Sequence, residues 1–439
     1  MIKWLLITMV MTLMVVFIFG LPPNFGLVGF SLKNLVLYLV SISLIVRNVV
    51  DRRGFLDLGG IQVAFMLLVG YGIVTYLVRS FVLPFPHYDV VQSGITLKTN
   101  LIEHVMFFLV FFYGARDADD AWQVLRSLLM VVVVANVVTL IDTSGLASIG
   151  VVEIGEDGRA QGAIGEQNQY AAFLALFNPA LVAMARMSTG WRRNVWWGWV
   201  LLSAADLLLT VSRGGFVATI VSTLLGLYLF RQYLPRLRIG PIIGGIAVLL
   251  LVVTVIASTQ YGELLYERVL RQSFSGNSFD ASSGRTETWM RIFQDMASQP
   301  ITFITGFGWD VYIYLGRPYI SHNHYLGEWF ELGLIGMGSY IFIFVRSVRY
   351  ALQAVAVAEE RWRPQLIAFG FGIMGLAIAI CFVNLFQAWA YVWAYVGLVL
   401  RIAIEVIKKR QSSPTQAPAA GAPPAVAALP RRDAYGWSR

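Results

Sequence analysis

The chain has 439 residues, of which 57% are hydrophobic and only 13% are charged. A soluble domain of this size carries about a quarter charged residues, so a soluble globular protein is excluded. The net charge of +8 comes from basic residues scattered between apolar runs. They form no stripe, which argues against nucleic-acid binding.

Apolar runs of about twenty residues recur from end to end, each long enough to cross a hydrocarbon core. There are about twelve, at approximately 4–20, 27–46, 61–83, 100–114, 122–141, 168–187, 195–211, 214–230, 239–258, 325–345, 364–382 and 386–405. The fourth is short, and only Ser212 and Arg213 separate the seventh from the eighth, so about eleven to thirteen crossings fit. The first run follows Lys3 and ends near Gly20 without a small-x-small cleavage site. It reads as a retained helix rather than a signal peptide.

The basic residues orient these runs. With the N-terminus inside, the inner loops hold Arg47, Arg52 and Arg53, then Arg116 and Arg126, then Arg186, Arg192 and Arg193. They continue with Arg231, Arg236 and Arg238, with Arg346, Arg349, Arg361 and Arg363, and with Lys408, Lys409 and Arg410. The short outer loops hold only Lys33, Arg79, Lys98, Arg159 and Arg213. Cytoplasmic loops are the ones enriched in Lys and Arg, so both termini are expected in the cytoplasm and the long polar interval, about 259–324, on the outer face.

The expected fold class is therefore an all-α polytopic membrane protein with about twelve transmembrane helices and one large outer-loop subdomain. Residues 1–410 form a single integral membrane domain, with the loop inserted before the tenth span. Residues 411–439 begin as a Pro, Ala, Ser and Gln tract that cannot bury a core, and they read as a disordered cytoplasmic tail. The single cysteine, Cys381, excludes an internal disulfide framework. The two halves show no likeness, whereas many transporters are built from repeated halves.

Inside the loop, Tyr261 to Leu270 reads as a short amphipathic helix, and Gly276 to Gly284 as a turn-rich segment. A second helix opens at Arg285, with Thr286 as its cap and Glu287 in the first turn, and Pro300 ends it. Gly306-Phe307-Gly308-Trp309 makes a tight turn before Ser321-His322-Asn323-His324. The loop is expected to be a folded cap.

Charged side chains at the ends of apolar helices are costly and usually serve a purpose. Arg159, Arg213 and Arg285 are all predicted on the outer face, each beside glycine, and arginine grips phosphate through two parallel hydrogen bonds. Each arginine alone also reads as a headgroup anchor or as a partner for Glu166, Glu287 or Glu328. Arg213 is harder to dismiss, because it sits in a break of one or two residues between two spans. His322 and His324 account for two of four histidines, and histidine is the side chain suited to moving a proton near neutral pH. A lone His-x-His is a poor metal signal, since no further Cys or His lies nearby to complete a zinc site. Asp117-Ala118-Asp119-Asp120 reads as a helix cap on the inner face rather than a metal motif. His87 and His104 have no supporting context.

Taken together these residues carry a resemblance. Ser321-His322-Asn323-His324-Tyr325-Leu326, followed by Glu331-Leu332-Gly333-Leu334-Ile335-Gly336, resembles the HNxxL…ELGLIG signature of the O-antigen ligase and Wzy-type polymerase family. Gly284-Arg285-Thr286-Glu287-Thr288-Trp289 looks like that family's GRTxxW element, and Ser212-Arg213-Gly214 like its SRG element. Gly158-Arg159-Ala160-Gln161-Gly162, with Asn168 following, is similar to its outer-loop arginine segment. The four elements occur in the family's order.

The resemblance implies a GT-C-like membrane glycosyltransferase of the bacterial inner membrane, working on the periplasmic face. It would move a glycan from undecaprenyl diphosphate to an acceptor hydroxyl, inverting the anomeric carbon without a metal or other cofactor. In ligases the acceptor is lipid A–core; in polymerases it is a second carrier-linked glycan. His322 would be the catalytic base, and Arg213, Arg285 and Arg159 would contact the diphosphate. His324 departs from the commonest form of the signature, and His324, Asn323, Glu328 and Glu331 are supporting candidates. The single large loop before the histidines favours a ligase. A polymerase and, from another class, a lipid-linked glycan flippase are the alternatives.

Overall fold

A computed structural model describes residues 2–20, 31–51, 58–149, 161–234, 253–272, 284–316 and 321–412, together with Arg159, Ala247, Leu250, Leu251 and Ser282. Most of the expected ninth span, most of the turn-rich loop segment and the tail beyond Ser412 lie outside the described residues, as do Arg52, Arg53, Arg236 and Arg238.

Every regular element among the described residues is helical. The chain opens with α1 (Ile2–Leu13), prolonged by a π-turn over Met14–Ile18, and continues with α2 (Leu32–Val50) and α3 (Ile61–Leu77), the last extended as a π-helix to Val82. Next come α4 (Val90–Leu97) and α5 (Glu103–Gly114), joined by a π-turn, then α6 (Ala118–Thr143), α7 (Gln167–Met187), α8 (Gly190–Leu209) and α9 (Arg213–Leu229). The long loop contributes α10 (Gln260–Leu265), α11 (Arg285–Ser298) and α12 (Thr302–Thr305). The chain then runs through α13 (His324–Val357), α14 (Arg363–Ala379) and α15 (Ala388–Gln411).

Seven of these segments are long and apolar enough to cross a membrane, and three shorter apolar helices lie among them. The protein is a multi-pass helical membrane protein. The fourth span is longer than the expected 100–114: α4 and α5 form one continuous segment, Val90–Gly114. Polar Ser93, Thr96 and Lys98 hid its first half from a hydropathy count.

Exposure sorts the helices into an inner and an outer set. The residues of α15 from Ala388 to Ile404 are all buried, and it packs against α5, α6 and α13. A helix that is apolar all round belongs in the middle. In α2, by contrast, Leu35, Leu39, Ile42 and Val46 are exposed, and so are Ile220 and Leu224 of α9. Those stripes are suited to lipid. Asp117 caps α6 by accepting from the Asp120 N–H at 2.8 Å, the role expected of it.

Helix α13 is broken at Gly333, where φ is 60° and ψ is −152°. The 24 residues after the break span about 36 Å, enough to cross a membrane unaided. The break frees the carbonyls of Phe330 and Glu331. They accept instead from the N–H groups of Phe307 (2.7 Å) and Gly308 (2.9 Å). A β-carbon on Gly333 would lie 2.0 Å from the Ile304 carbonyl oxygen, so glycine is required there.

This contact seats the loop. Ile292, Met296, Phe307, Val311, Tyr312, Leu326 and Phe330 form a small separate core. Tyr71 donates to the Thr305 carbonyl at 2.7 Å, Trp309 Nε1 to the Ser93 carbonyl at 3.2 Å, and Arg79 to the Phe307 carbonyl. The cap of α11 differs from expectation. Gly284, in the left-handed region at φ 74°, occupies the cap position, and Thr286 lies inside the first turn.

Candidate active site

The site is built where several helix ends meet the loop. The turn between α8 and α9 is as short as it appeared. Val211 sits at φ 47°, a conformation that a β-branched residue adopts only under constraint. Ser212 caps α9 by accepting from the Gly215 N–H at 3.3 Å, and its hydroxyl donates to Asn168 Oδ1 at 2.9 Å. Arg213 is the first residue of α9. The neighbouring glycines serve packing: a β-carbon on Gly214 would lie 2.7 Å from Phe382 Cβ, and one on Gly215 2.6 Å from Ala171 Cβ.

Arg159 is 4% exposed. Its Nε donates to the Thr210 carbonyl at 3.0 Å, and Nη2 to Asn168 Oδ1 at 3.3 Å. Asn168 is held in turn by Glu166, which caps α7 and accepts from the Asn168 backbone (3.1 Å) and side chain (3.0 Å). The α8–α9 turn, Arg159 and the start of α7 are thus one hydrogen-bonded unit. Gly158 and Ala160 lie outside the described residues.

Arg285 opens α11 and points its charge at the same place. Burial lowers the pKa of its guanidinium, and the positive charges of Arg213 and Arg268 lower it further, with Glu166 partly opposing them. His322 completes the group. Its imidazole is pushed down to about 4, first by burial and then by the charge of Arg285. Its Nδ1 is buried without a hydrogen-bond partner among the described residues, and its backbone is left-handed at φ 48°.

A cavity of about 190 Å³ is lined by Arg159, Gln167, Asn168, Val211, Arg213, Gly214, Arg268, Arg285 and His322. The three arginines and the histidine singled out in sequence therefore share one wall-to-wall space. Arg268, on a π-turn over Tyr266–Arg271, is the residue that sequence reading missed. Its only signal was a basic residue on an amphipathic helix, which reads as solvated.

The supporting candidates are placed elsewhere. Asn323 caps α13, accepting from the Leu326 N–H at 3.0 Å. His324 is buried in the bundle, edge-on to Tyr340 (4.6 Å) and beside Trp389 (5.0 Å). Glu328 lies 3.7 Å from His324 Nε2, so it faces that imidazole. Glu331 accepts from the Asp310 N–H at 3.0 Å and belongs to the loop contact.

An anionic group with several oxygens is what such a cavity suits: several guanidinium groups, two amides and one imidazole held neutral near pH 7. Fold and site together define a polytopic membrane protein with a cationic pocket at the end of its bundle that carries the long loop. Residues 197–341 match the family model described as O-antigen ligase. Through that segment the chain is similar to the O-antigen ligase and Wzy-type polymerase family. The segment runs from α8 into α13 and holds Arg213, Arg268, Arg285 and His322; Arg159 precedes it. No curated protein matches the chain.

Proposed function

We propose that the protein is an O-antigen ligase-like glycosyltransferase with about twelve spans and a GT-C-like architecture. It takes a glycan from undecaprenyl diphosphate on the periplasmic face of the inner membrane and transfers it to a hydroxyl of lipid A–core. The observation that carries this reading is the single cavity shared by Arg159, Arg213, Arg268, Arg285 and His322.

In the reaction, the acceptor oxygen forms a bond to the anomeric carbon, and the bond from that carbon to the diphosphate oxygen breaks. The electron pair goes to the diphosphate, where the arginines stabilise the growing charge. The acceptor proton goes to His322, which acts as general base and contributes ~10²–10⁴-fold. A single displacement inverts the anomeric carbon. The guanidinium groups supply the counter-charge, so the reading needs no metal.

The test uses purified protein in detergent with carrier-linked glycan and acceptor. His322→Ala should abolish product while the protein remains folded in the membrane fraction, and His324→Ala should retain transfer. An active His322→Ala variant overturns the base assignment. A deletion strain that accumulates free lipid A–core and long carrier-linked chains supports the ligase reading, whereas single repeat units would make the protein a polymerase.

A further inference from the structure

His322 keeps its left-handed backbone because both of its neighbours are fastened. The Ser321 carbonyl accepts from Trp289 Nε1 at 2.7 Å. The Ser321 hydroxyl lies 3.1 Å from Asn384 Oδ1 and 3.0 Å from the Asn323 carbonyl oxygen, sharing its proton between them. On the other side, Asn323 caps α13 and the His324 N–H donates to the Ile380 carbonyl at 2.9 Å. The turn that presents His322 is thereby tied to α11, to the segment between α14 and α15, and to α13.

Trp289 follows Arg285 by four residues on α11, one helical turn on, so the two lie on the same face of that helix. One short rigid element therefore carries the arginine into the cavity and the indole onto the histidine turn. Packing does not require the indole N–H, because a phenyl ring would fill much of the same space. The N–H is needed only to hold the Ser321 carbonyl. Asn384 stands opposite, and a β-carbon on Gly327 would lie 3.2 Å from Ser321 Oγ and 3.6 Å from Asn384 Nδ2, so this polar contact is close-set.

We propose that Trp289 and Asn384 are positioning residues for His322, and that α11 couples the grip of Arg285 on the diphosphate to the aim of the imidazole. This rests on the reading of His322 as the base. A left-handed non-glycine residue persists only where its surroundings over-determine it. With one fastening removed, the turn relaxes and the imidazole leaves its line to the acceptor hydroxyl. Misplacement of a catalytic group by about 1 Å costs ~100-fold in rate.

The experiment is steady-state kinetics on the purified full chain with carrier-linked glycan and acceptor. Trp289→Phe, which keeps a ring and deletes the donor, should lower kcat ~100-fold with the donor KM unchanged. Asn384→Ala should lower kcat roughly tenfold, and Asn384→Asp, which still accepts from Ser321, should restore most of it. A purely structural role would move the melting temperature of all three variants together and would not separate Asp from Ala at position 384. Wild-type kcat in Trp289→Phe and Asn384→Ala, with His322→Ala inactive, overturns this proposal and leaves the base assignment standing. A raised donor KM at unchanged kcat also overturns it. An active His322→Ala variant defeats the base assignment itself. If Trp289→Phe does not fold, the comparison of Asp with Ala at position 384 decides.

Discussion

Replacing Arg285 by glutamine should move the acid limb of the pH–rate profile upward. The His322 imidazole is held at about 4, against an ordinary 6.5, by burial first and the Arg285 charge second. That difference amounts to ~3 kcal/mol against the imidazolium form. A base works when it is unprotonated, so transfer limited by His322 runs at full rate above that pKa and is lost as pH falls through it. In kcat/KM, which reports the free enzyme, the wild-type acid limb should therefore lie near 4. Removing the arginine charge removes the second cause only. The limb should rise by about one pH unit and stop short of 6.5, because burial remains. In kcat, which reports the complex, the bound diphosphate already offsets Arg285 and adds negative charge near the imidazole. The wild-type limb in kcat should thus lie above the limb in kcat/KM, and the variant should change it less. Overall transfer should fall by ~10- to 100-fold through loss of a charged hydrogen bond. The measurement is product formation by purified protein across a pH series, in both saturating and dilute donor. A limb that stays in place in Arg285→Gln, or moves down, would refute the coupling of these two residues.

Arg268→Ala should raise the donor KM ~10-fold or more, with little change in melting temperature, because the residue reaches the cavity from a surface loop. Arg268→Lys should recover only part of the loss, since an ammonium cannot make the planar two-bond contact; an unchanged KM in the alanine variant would remove Arg268 from the site. Gly333→Ala should cost the folded protein outright, as its β-carbon would lie 2.0 Å from the Ile304 carbonyl at a backbone angle suited to glycine. Wild-type melting and a monodisperse elution profile for that variant would show that the loop does not depend on the break.

The helices were legible because an apolar run near twenty residues leaves the chain few other choices in lipid. What hydropathy cannot see is a partner that lies far away in sequence. The break at Gly333 falls in Glu331-Leu332-Gly333-Leu334-Ile335-Gly336, which reads as unbroken apolar helix. The carbonyls it frees are taken by Phe307 and Gly308, more than twenty positions earlier, and no local pattern signals that exchange. The same limit applied to the start of the fourth span, where Ser93 faces inward to donate to Asp310 and a polar residue looked like loop.

The site divides along the same line. Arg213 and Arg285 were conspicuous because charge interrupts an apolar run or opens a helix inside the one long polar interval. Arg268, Trp289 and Asn384 were not, because each acts through a contact made only when the loop folds down. Spacing also treats His322 and His324 as equals. The left-handed turn at His322 separates them: one imidazole is left on the cavity wall, and the next residue but one starts α13 and is carried into the aromatic interior against Tyr340 and Trp389. The cavity draws its four arginines from four separate segments, so no segment alone carries a binding motif of any strength. Their convergence depends on α9 meeting α7 through Gly215 and on α11 being tied to the histidine turn through Trp289. Burial and, after it, the charges of Arg213 and Arg268 lower the pKa of Arg285, so both desolvation and repulsion oppose that convergence. A ligand that brings several negative charges in a small volume suits such a cavity, which is the property a diphosphate has and a single carboxylate lacks.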